Sequence, residues 1–262
     1  MNETTYASFI TFDIEKHMTI TIEVCVDNIE SLLTAQQSGA DRIELCSALA
    51  LGGLTANAGF VQKSLDLATI PLYAIIRPRA GDFVYSEQEV DIMVSDIKFM
   101  TLLGIQGVVI GALTPEGDID EVALKRLMSA SRDIGVTFHR AFDLCNDPKK
   151  ALEILIDAGC ERILTSGQQA TAEQGCDLIK DLVAQAGNRM SIMPGAGVSP
   201  QNAAKIISLT QVSELHLSGK TTRKSAMKPS ATVQMGTEAE ADSLISVTCA
   251  KTILDLVNVV NG

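Results

Sequence analysis

The sequence alternates eight times between short apolar stretches and longer amphipathic stretches, and this alternation limits the possible fold more than any other feature. The apolar stretches are rich in aliphatic and β-branched residues, which is typical of buried parallel strands. The stretches between them have helical periodicity, and several begin with a capping residue. Eight strands and eight helices in strict order favour a single (βα)8 TIM barrel with a closed parallel sheet. An open doubly wound sheet usually stops at about five or six strands.

The predicted strands are 19–26, 42–46, 72–77, 107–111, 136–140, 162–165, 190–193 and 214–217. The predicted helices are 28–38, one that ends near 68, 86–103, 120–133, 147–158, 172–186, one that starts at 200, and 242–259. Ser86 and Glu89 form a capping box, and Asp147 precedes a proline that suits the first helical position. A long polar stretch, 220–236, precedes the last helix.

Residues 18–262 are interpreted as one barrel domain. Residues 1–17 are interpreted as an N-terminal extension, either a disordered tail or the product of a start codon assigned too early, in which case Met18 is the start. The extension shows no periodicity, and Met18 directly precedes the first strand. A chain of 262 residues is long for one ordinary domain but usual for a TIM barrel.

Composition excludes several classes of function. The chain carries 21 Lys and Arg against 32 Asp and Glu, with a net charge of −11 and no Trp, which disfavours nucleic-acid binding. No apolar stretch approaches the roughly 20 residues that cross a bilayer, and no signal peptide precedes the domain. Six cysteines spread over the chain do not form a disulfide framework. We therefore expect a cytoplasmic protein with no nucleic-acid or membrane partner.

The sequence Glu-x-Cys occurs in the first two predicted strands, as Glu23-Val24-Cys25 and Glu44-Leu45-Cys46. Because side chains alternate along a strand, each glutamate shares its face with the following cysteine. Neighbouring parallel strands lie about 4.8 Å apart, so the two cysteines, if in register, can hold one ion between two sulfurs. Two thiolates without a hard third ligand suit Cu(I) better than tetrahedral Zn²⁺. The alternative is that both thiols only fill space in the core.

Polar side chains also gather near the carboxyl ends of the predicted strands, which form the active face of a TIM barrel. They include Arg77, His139, Arg140, His216 and Ser218. Glu23 and Glu44 need partners inside the barrel, and we expect Arg77 and Arg140 to provide them. Such pairs either fill the barrel or, where two carboxylates share a pocket, raise one pKa and supply a general acid or base.

The loops after the seventh and eighth predicted strands, 195–199 and 218–220, are candidates for binding an anion through backbone N–H groups. The sequence lacks a Gly-x-x-x-x-Gly-Lys-[Ser/Thr] loop, a His-Glu-x-x-His motif and a Gly-x-Ser-x-Gly motif. The sixth strand contains no lysine, which disfavours a Schiff-base aldolase of the usual barrel layout.

Together these motifs resemble the CutC family, whose members are called copper homeostasis proteins. The resemblance runs from about Ile20 to Gly236. Its motifs are Glu23-x-Cys25, Glu44-Leu45-Cys46, Gly52-Gly53-Leu54-Thr55, Arg77-Pro78-Arg79-x-Gly81-Asp82-Phe83-x-Tyr85-Ser86, Gly111-x-Leu113-Thr114, Thr137-Phe138-His139-Arg140-Ala141-Phe142-Asp143, Leu164-Thr165-Ser166-Gly167 and His216-x-Ser218-Gly219. The chain departs from the family pattern at Ala196, where glycine is usual, and at Ala56-Asn57, where Pro-Ser is common. A Cβ at position 196 restricts the approach of an anion to the backbone.

The resemblance implies a cytoplasmic (βα)8 barrel that is a homo-oligomer, a dimer or tetramer, and is linked to copper tolerance. It also implies a Cu(I) site on Cys25 and Cys46. Arg79 and Asp143 belong to the matched motifs and join the pocket candidates.

Two hypotheses follow. The first is a Cu(I)-binding protein of copper homeostasis. The second is a TIM-barrel enzyme of unknown reaction that acts on a small phosphorylated or carboxylated metabolite. Its arginines would bind the anion, and Glu23, Glu44, His139 and His216 would move protons.

Overall fold

The structure is a computed structural model that describes residues 19–228 and 243–261. The predicted N-terminal extension, 1–17, and the second half of the predicted polar stretch, 229–236, lie outside the described residues. Within the described part, eight parallel strands form a nearly closed barrel that is surrounded by helices. The (βα)8 prediction is therefore confirmed. No helix among the described residues combines the length and apolar character that a membrane crossing requires.

The barrel strands are β1 (Thr21–Val26), β2 (Arg42–Leu45), β3 (Leu72–Ile75), β4 (Gly107–Ile110), β5 (Gly135–Phe138), β6 (Arg162–Thr165), β7 (Ser191–Pro194) and β8 (Glu214–Leu217). Two further strands, β9 (Lys220–Lys224) and β10 (Leu244–Thr248), form a separate antiparallel pair. The helices are α1 (Ile29–Gln37), α2 (Ala58–Leu67), α3 (Glu87–Leu103), α4 (Glu121–Ala130), α5 (Pro148–Ala158), α6 (Cys176–Ala186), α7 (Ala203–Thr210) and α8 (Ala250–Asn261).

The strands follow chain order around the barrel. β1 pairs in parallel with β2 on one side and with β8 on the other, and the ladder continues from β2 to β7. Local signals explain the boundaries: Ser86 and Glu89 form the expected capping box, and the Asp147 side chain accepts the backbone N–H groups of Lys149 and Lys150. Gly39, after α1, takes the left-handed conformation with φ 95° that its position requires.

Each strand separates two packed regions. Residues such as Ile22, Val24, Ile43 and Leu45 pack outward against the helices in the larger core. The inward residues form a second cluster inside the barrel, which contains Cys25, Cys46, Tyr73, Ile75 and Val109. The two-residue alternation predicted for the Glu-x-Cys strands is therefore confirmed.

A network of buried charges fills the barrel toward the amino ends of its strands. Arg42 forms ion pairs with both Glu23 and Glu214. Arg162 donates from Nε to Glu214 Oε2 over 2.6 Å. The Tyr73 ring lies against the guanidinium groups of Arg42 and Arg162, at 5.3 and 5.6 Å from its centroid. These five residues are the basal ion network.

Glycine is required next to this network. A Cβ on Gly107 would lie 2.1 Å from Tyr73 Cε1, and a Cβ on Gly135 would lie 2.3 Å from the Tyr73 hydroxyl. The two glycines on β4 and β5 therefore provide the volume that the tyrosine ring occupies.

The structure corrects three element predictions. The last helix was predicted from residue 242, but 244–248 form β10 and α8 begins at Ala250. The sequence Leu-Ile-Ser-Val-Thr is rich in β-branched residues and pairs with β9, the start of the predicted polar stretch. The helices predicted from 172 and 200 begin at Cys176 and Ala203, after turns.

Candidate functional site

A cavity of about 610 Å³ opens at the carboxyl ends of the barrel strands. Eight of the residues selected from the sequence line it. They are Cys25, Glu44, Cys46, Arg77, His139, Arg140, His216 and Ser218. The sequence therefore located the cavity, and the structure divides its lining into two chemically different walls.

The first wall is the thiol cluster, defined here as Cys25, Glu44, Cys46 and His216. Cys25 comes from β1, His216 from β8, Glu44 from β2, and Cys46 follows β2 directly. The condition that the two cysteines lie in register is not met, because Cys25 is paired with Glu44. Strands in a closed barrel are staggered. Cys46 is therefore the next inward-facing residue after Glu44, closer to the carboxyl ends of the strands than Cys25.

The donor atoms of the thiol cluster converge. The ligand atoms of Cys25, Glu44 and His216 all lie within 4.8 Å of one another. Cys46 Sγ lies 3.6 Å from Glu44 Oε2, and His216 Nε2 lies 3.8 Å from the same oxygen. All four side chains are buried. Cys25, Glu44 and His216 thus form a compact set of one sulfur, one nitrogen and one carboxylate donor, and Cys46 adjoins this set at Glu44.

Glu23 orients the histidine from below. Its Oε1 lies 2.8 Å from His216 Nδ1, and Glu23 is completely buried. With Nδ1 engaged, the ring presents Nε2 toward Glu44 and the thiol side of the cavity. A carboxylate on the second nitrogen is the usual support for a metal-binding histidine, since it fixes both ring orientation and tautomer.

Burial and neighbouring charge shift the pKa values in this cluster in different directions. Burial alone would raise the pKa of Glu23, but the His216 hydrogen bond and the Arg42 charge lower it to about 2. Burial raises the pKa of Glu44 to about 7. Burial and the adjacent Glu44 carboxylate raise the pKa of Cys46 well above its ordinary value. For His216, burial lowers the pKa, but Cys25 and the two glutamates outweigh it and raise the pKa well above its ordinary value.

The second wall contains Arg77, which is 5 % exposed. Its Nη1 donates to the carbonyl oxygens of Leu51 and Gly53 at 2.9 and 3.1 Å, and its Nη2 donates to Gly81 O at 2.9 Å. The expectation that Arg77 and Arg140 neutralise the buried glutamates is wrong. Arg42 pairs with Glu23, while Arg77 is held by backbone carbonyl groups.

His139 lies on the same wall and is 4 % exposed. The backbone N–H of Ala141 donates to its Nδ1 over 3.1 Å, so the ring proton resides on Nε2. Burial, followed by the charge of Arg77, lowers the pKa of His139 to about 3. Phe83 contacts both residues: its ring centroid lies 4.9 Å from the His139 ring and 4.9 Å from the Arg77 guanidinium carbon.

Three pocket candidates do not line the cavity. Glu23 lies beneath it in the basal ion network. Arg79 is paired with Glu89 at 2.5 Å and with Asp82 at 3.0 Å. Asp143 accepts the backbone N–H of Ser166 at 2.9 Å and pairs with Arg140 at 2.7 Å, which shapes the loop after β6.

The loop after β7 contributes Ala196 and Gly197 to the lining. Both residues have positive φ, 73° and 75°. Ala196 therefore has the positive φ that suits glycine, the residue usual at this position in the family. The Cβ of alanine makes this conformation energetically unfavourable.

Sequence reasoning missed Arg42, Arg162 and Glu214. For Arg42 the sequence did contain a signal: it lies two residues before Glu44, so the two side chains share the inward face of the strand. Arg162 and Glu214 are the first residues of their strands, at the level of the basal ion network.

The sequence and the fold both match proteins of one family. The sequence profile described as the CutC family matches residues 20–221. A protein of Histophilus somni (strain 2336) named as a CutC family protein is 54 % identical over 227 residues, covering 87 % of this chain and 93 % of that protein. A CutC relative from Photobacterium profundum is 52 % identical over 244 residues, covering 93 % of this chain and all of that protein.

A solved structure also indicates the CutC family. A crystal structure described as a candidate copper homeostasis protein CutC from Streptococcus agalactiae superposes with a TM-score of 0.72 at 35 % identity. It covers 76 % of this chain and 98 % of that chain. With a family match over most of the chain and relatives of more than half identity, this protein belongs to the CutC family.

Proposed function

We propose that this protein binds Cu(I) at the thiol cluster and acts in copper homeostasis in the cytoplasm. One observation carries the proposal: the ligand atoms of Cys25, Glu44 and His216 lie within 4.8 Å of one another, and Cys46 adjoins them. The description of the Streptococcus agalactiae relative as a candidate copper homeostasis protein supports the same assignment.

The donor set fits a soft ion. Thiolate and imidazole ligands suit Cu(I), and two cysteines with one histidine supply the small number of ligands that this ion takes. Oxygen ligands dominate sites for magnesium and calcium, and only Glu44 provides one here. Cys25, Cys46 and His216 would hold the ion as cargo, with Glu23 fixing the imidazole through Nδ1.

The thiol cluster also contains an acceptor, Glu44, for the proton that Cys46 must release when it binds a metal ion. Cys46 has a raised pKa, so its thiol is protonated before a metal ion arrives. Its Sγ is 3.6 Å from Glu44 Oε2, and the pKa of Glu44 is about 7. Glu44 is therefore placed to accept the Cys46 proton at neutral pH. Affinity should rise with pH, because the ligands are the thiolate forms of the cysteines and the neutral form of His216, whose pKa is raised well above its ordinary value.

The proposal extends to a homo-oligomer, a dimer or tetramer. One helix, α3, exposes three large apolar side chains, Ile92, Phe99 and Leu102, and Leu102 is 86 % exposed. Contiguous exposed apolar surface is common at subunit interfaces. Native mass spectrometry reports subunit count and bound metal in one measurement.

Anaerobic titration with a competing Cu(I) chelator tests the copper site. We expect the wild type to bind one Cu(I), and the variant with Cys25→Ala and Cys46→Ala to lose that binding. The matched control replaces Cys145 and Cys160 by alanine, since both thiols are also buried but do not line the cavity. Unchanged affinity in the first variant, or an equal loss in the control, would refute the proposal.

A further inference from the structure

The copper site accounts for only one wall of the cavity. A volume of about 610 Å³ falls within the roughly 300–1,000 Å³ of small-molecule pockets and far exceeds the need of one ion. A second part of the lining, made by Arg77 and His139 and named the cationic wall, contains no sulfur donor.

Arg77 is a buried cation without an anionic partner among the described residues. Its three hydrogen bonds go to backbone carbonyl groups, and its Nε–H donates to no described atom. A buried charge that is solvated only by neutral dipoles is costly, and a carboxylate or phosphate nearby would offset that cost. Arg77 belongs to the cavity lining, so an anionic partner for it would lie in the cavity.

His139 adds a second unused donor to the cationic wall. Its Nδ1 accepts the Ala141 N–H, so Nε2 carries the proton, and Nε2 has no partner among the described residues. A buried N–H without an acceptor forfeits a hydrogen bond and is rare in folded proteins. The Phe83 ring contacts both Arg77 and His139 and holds them on one side of the cavity.

We propose that Arg77 and His139 bind the oxyanion group, a carboxylate or a phosphate, of a small organic ligand that occupies the cavity beside the thiol cluster. The Nε–H of Arg77 and the Nε2–H of His139 donate to the anion, and the remaining part of the ligand extends toward Cys25 and Glu44. The site goes beyond copper binding, because neither donor can ligate a soft cation in this state. The low pKa of His139 keeps it a neutral donor throughout the physiological range.

Isothermal titration calorimetry with inorganic phosphate and with malonate tests this site, with chloride at matched ionic strength as the reference. We expect saturable binding of at least one of the two probes to the wild type, and the preferred probe identifies phosphate or carboxylate as the natural group. His139→Asn keeps an acceptor for the Ala141 N–H but removes the Nε2 donor. His139→Gln places an amide N–H near the original Nε2 position. We expect the first variant to weaken binding by about tenfold or more, and the second to restore most of it.

Arg77→Gln is expected to abolish binding, with Arg189→Gln as the charge-matched control, since Arg189 pairs with Glu153 far from the cavity lining. Should Arg77→Gln fail to fold, the two His139 variants still decide the question. The chain has three histidines, so ¹⁵N spectra of the imidazole groups can follow Nε2 of His139 directly. We expect its resonance to move when the probe is added.

The absence of saturable binding of both probes would overturn the proposal, as would His139→Asn binding as tightly as wild type. An equal loss in Arg189→Gln would mean that net charge alone drives binding, and would also overturn it. The two sites are separable: the variant with Cys25→Ala and Cys46→Ala should keep anion binding, and His139→Asn should keep Cu(I) binding.

Discussion

Replacing Arg42 by methionine should destabilise the barrel strongly. Arg42 is 7 % exposed and is the cation shared by Glu23 and Glu214. Removing one member of a buried ion pair typically costs about 3–5 kcal/mol, because a charge is left without its partner. Here each carboxylate keeps a second partner, since His216 holds Glu23 at 2.8 Å and Arg162 holds Glu214 at 2.6 Å. We therefore expect the lower end of that range, about 3 kcal/mol.

The assay is equilibrium unfolding in urea, followed by circular dichroism. Arg189→Met is the matched control, because Arg189 and Glu153 are 48 % and 42 % exposed and such solvent-exposed pairs contribute little to stability. A loss of about 3 kcal/mol corresponds to a Tm decrease of about 6–12 °C for a domain of this size. Our reasoning about the basal ion network fails if the free energies of unfolding of the two variants differ by less than about 1 kcal/mol.

The pH dependence gives a second check. The pKa of Glu23 is about 2 in the folded protein against an ordinary 4.5, so its contribution to stability is complete above pH 4.5 and is lost as the pH falls toward 2. Arg42→Met removes a cation that lowers this pKa. The loss of stability linked to Glu23 should therefore be smaller in the variant and should end at a higher pH than in the wild type, while it still begins near pH 4.5.

Four further predictions concern backbone space and titration. Gly107→Ala should destabilise the protein by about 1–3 kcal/mol in urea unfolding, because its Cβ would lie 2.1 Å from Tyr73 Cε1. Gly59→Ala, on the exposed face of α2, should instead stabilise it by about 0.5–1 kcal/mol. Ala196→Gly should raise stability by about 0.5–1 kcal/mol, since φ 73° strains alanine but not glycine, and a decrease would contradict this account of the loop. Burial, with the hydrogen bond to Glu161, raises the pKa of Tyr73 to about 12 from 10, so the stability linked to its neutral form is complete below pH 10 and lost toward pH 12. Ultraviolet titration should show a tyrosine that ionises near pH 12 and is missing in Tyr73→Phe, whereas burial raises the pKa of Tyr85 in both proteins.

The sequence predicted the barrel because its signal is local and repeated. Strand alternation, caps such as Ser86 and Asp147, and the inward face of the Glu-x-Cys strands all depend on neighbours within a few residues. The mistaken last helix has a local cause as well. Leu244–Thr248 are apolar enough to continue a helical pattern, and only their pairing with β9 makes them a strand.

The partners of the buried charges could not be predicted in the same way. The stagger between β1 and β2 places Glu44, rather than Cys46, opposite Cys25. The carbonyl groups that hold Arg77 come from loops after β2 and β3, whose conformation no periodicity specifies. Which arginine meets which glutamate therefore depends on the closure of the barrel, a property of all eight strands together.

The basal ion network fills the barrel lumen below the cavity and blocks passage of a ligand through it. Arg42, Arg162 and Tyr73 occupy the lower lumen, so nothing that enters between the strand ends can continue out of the far side. Within the described residues, ligands therefore enter and leave the cavity at the carboxyl ends of the strands. In the proposed copper role, a protein that delivers the ion and one that receives it would bind to this end one after the other.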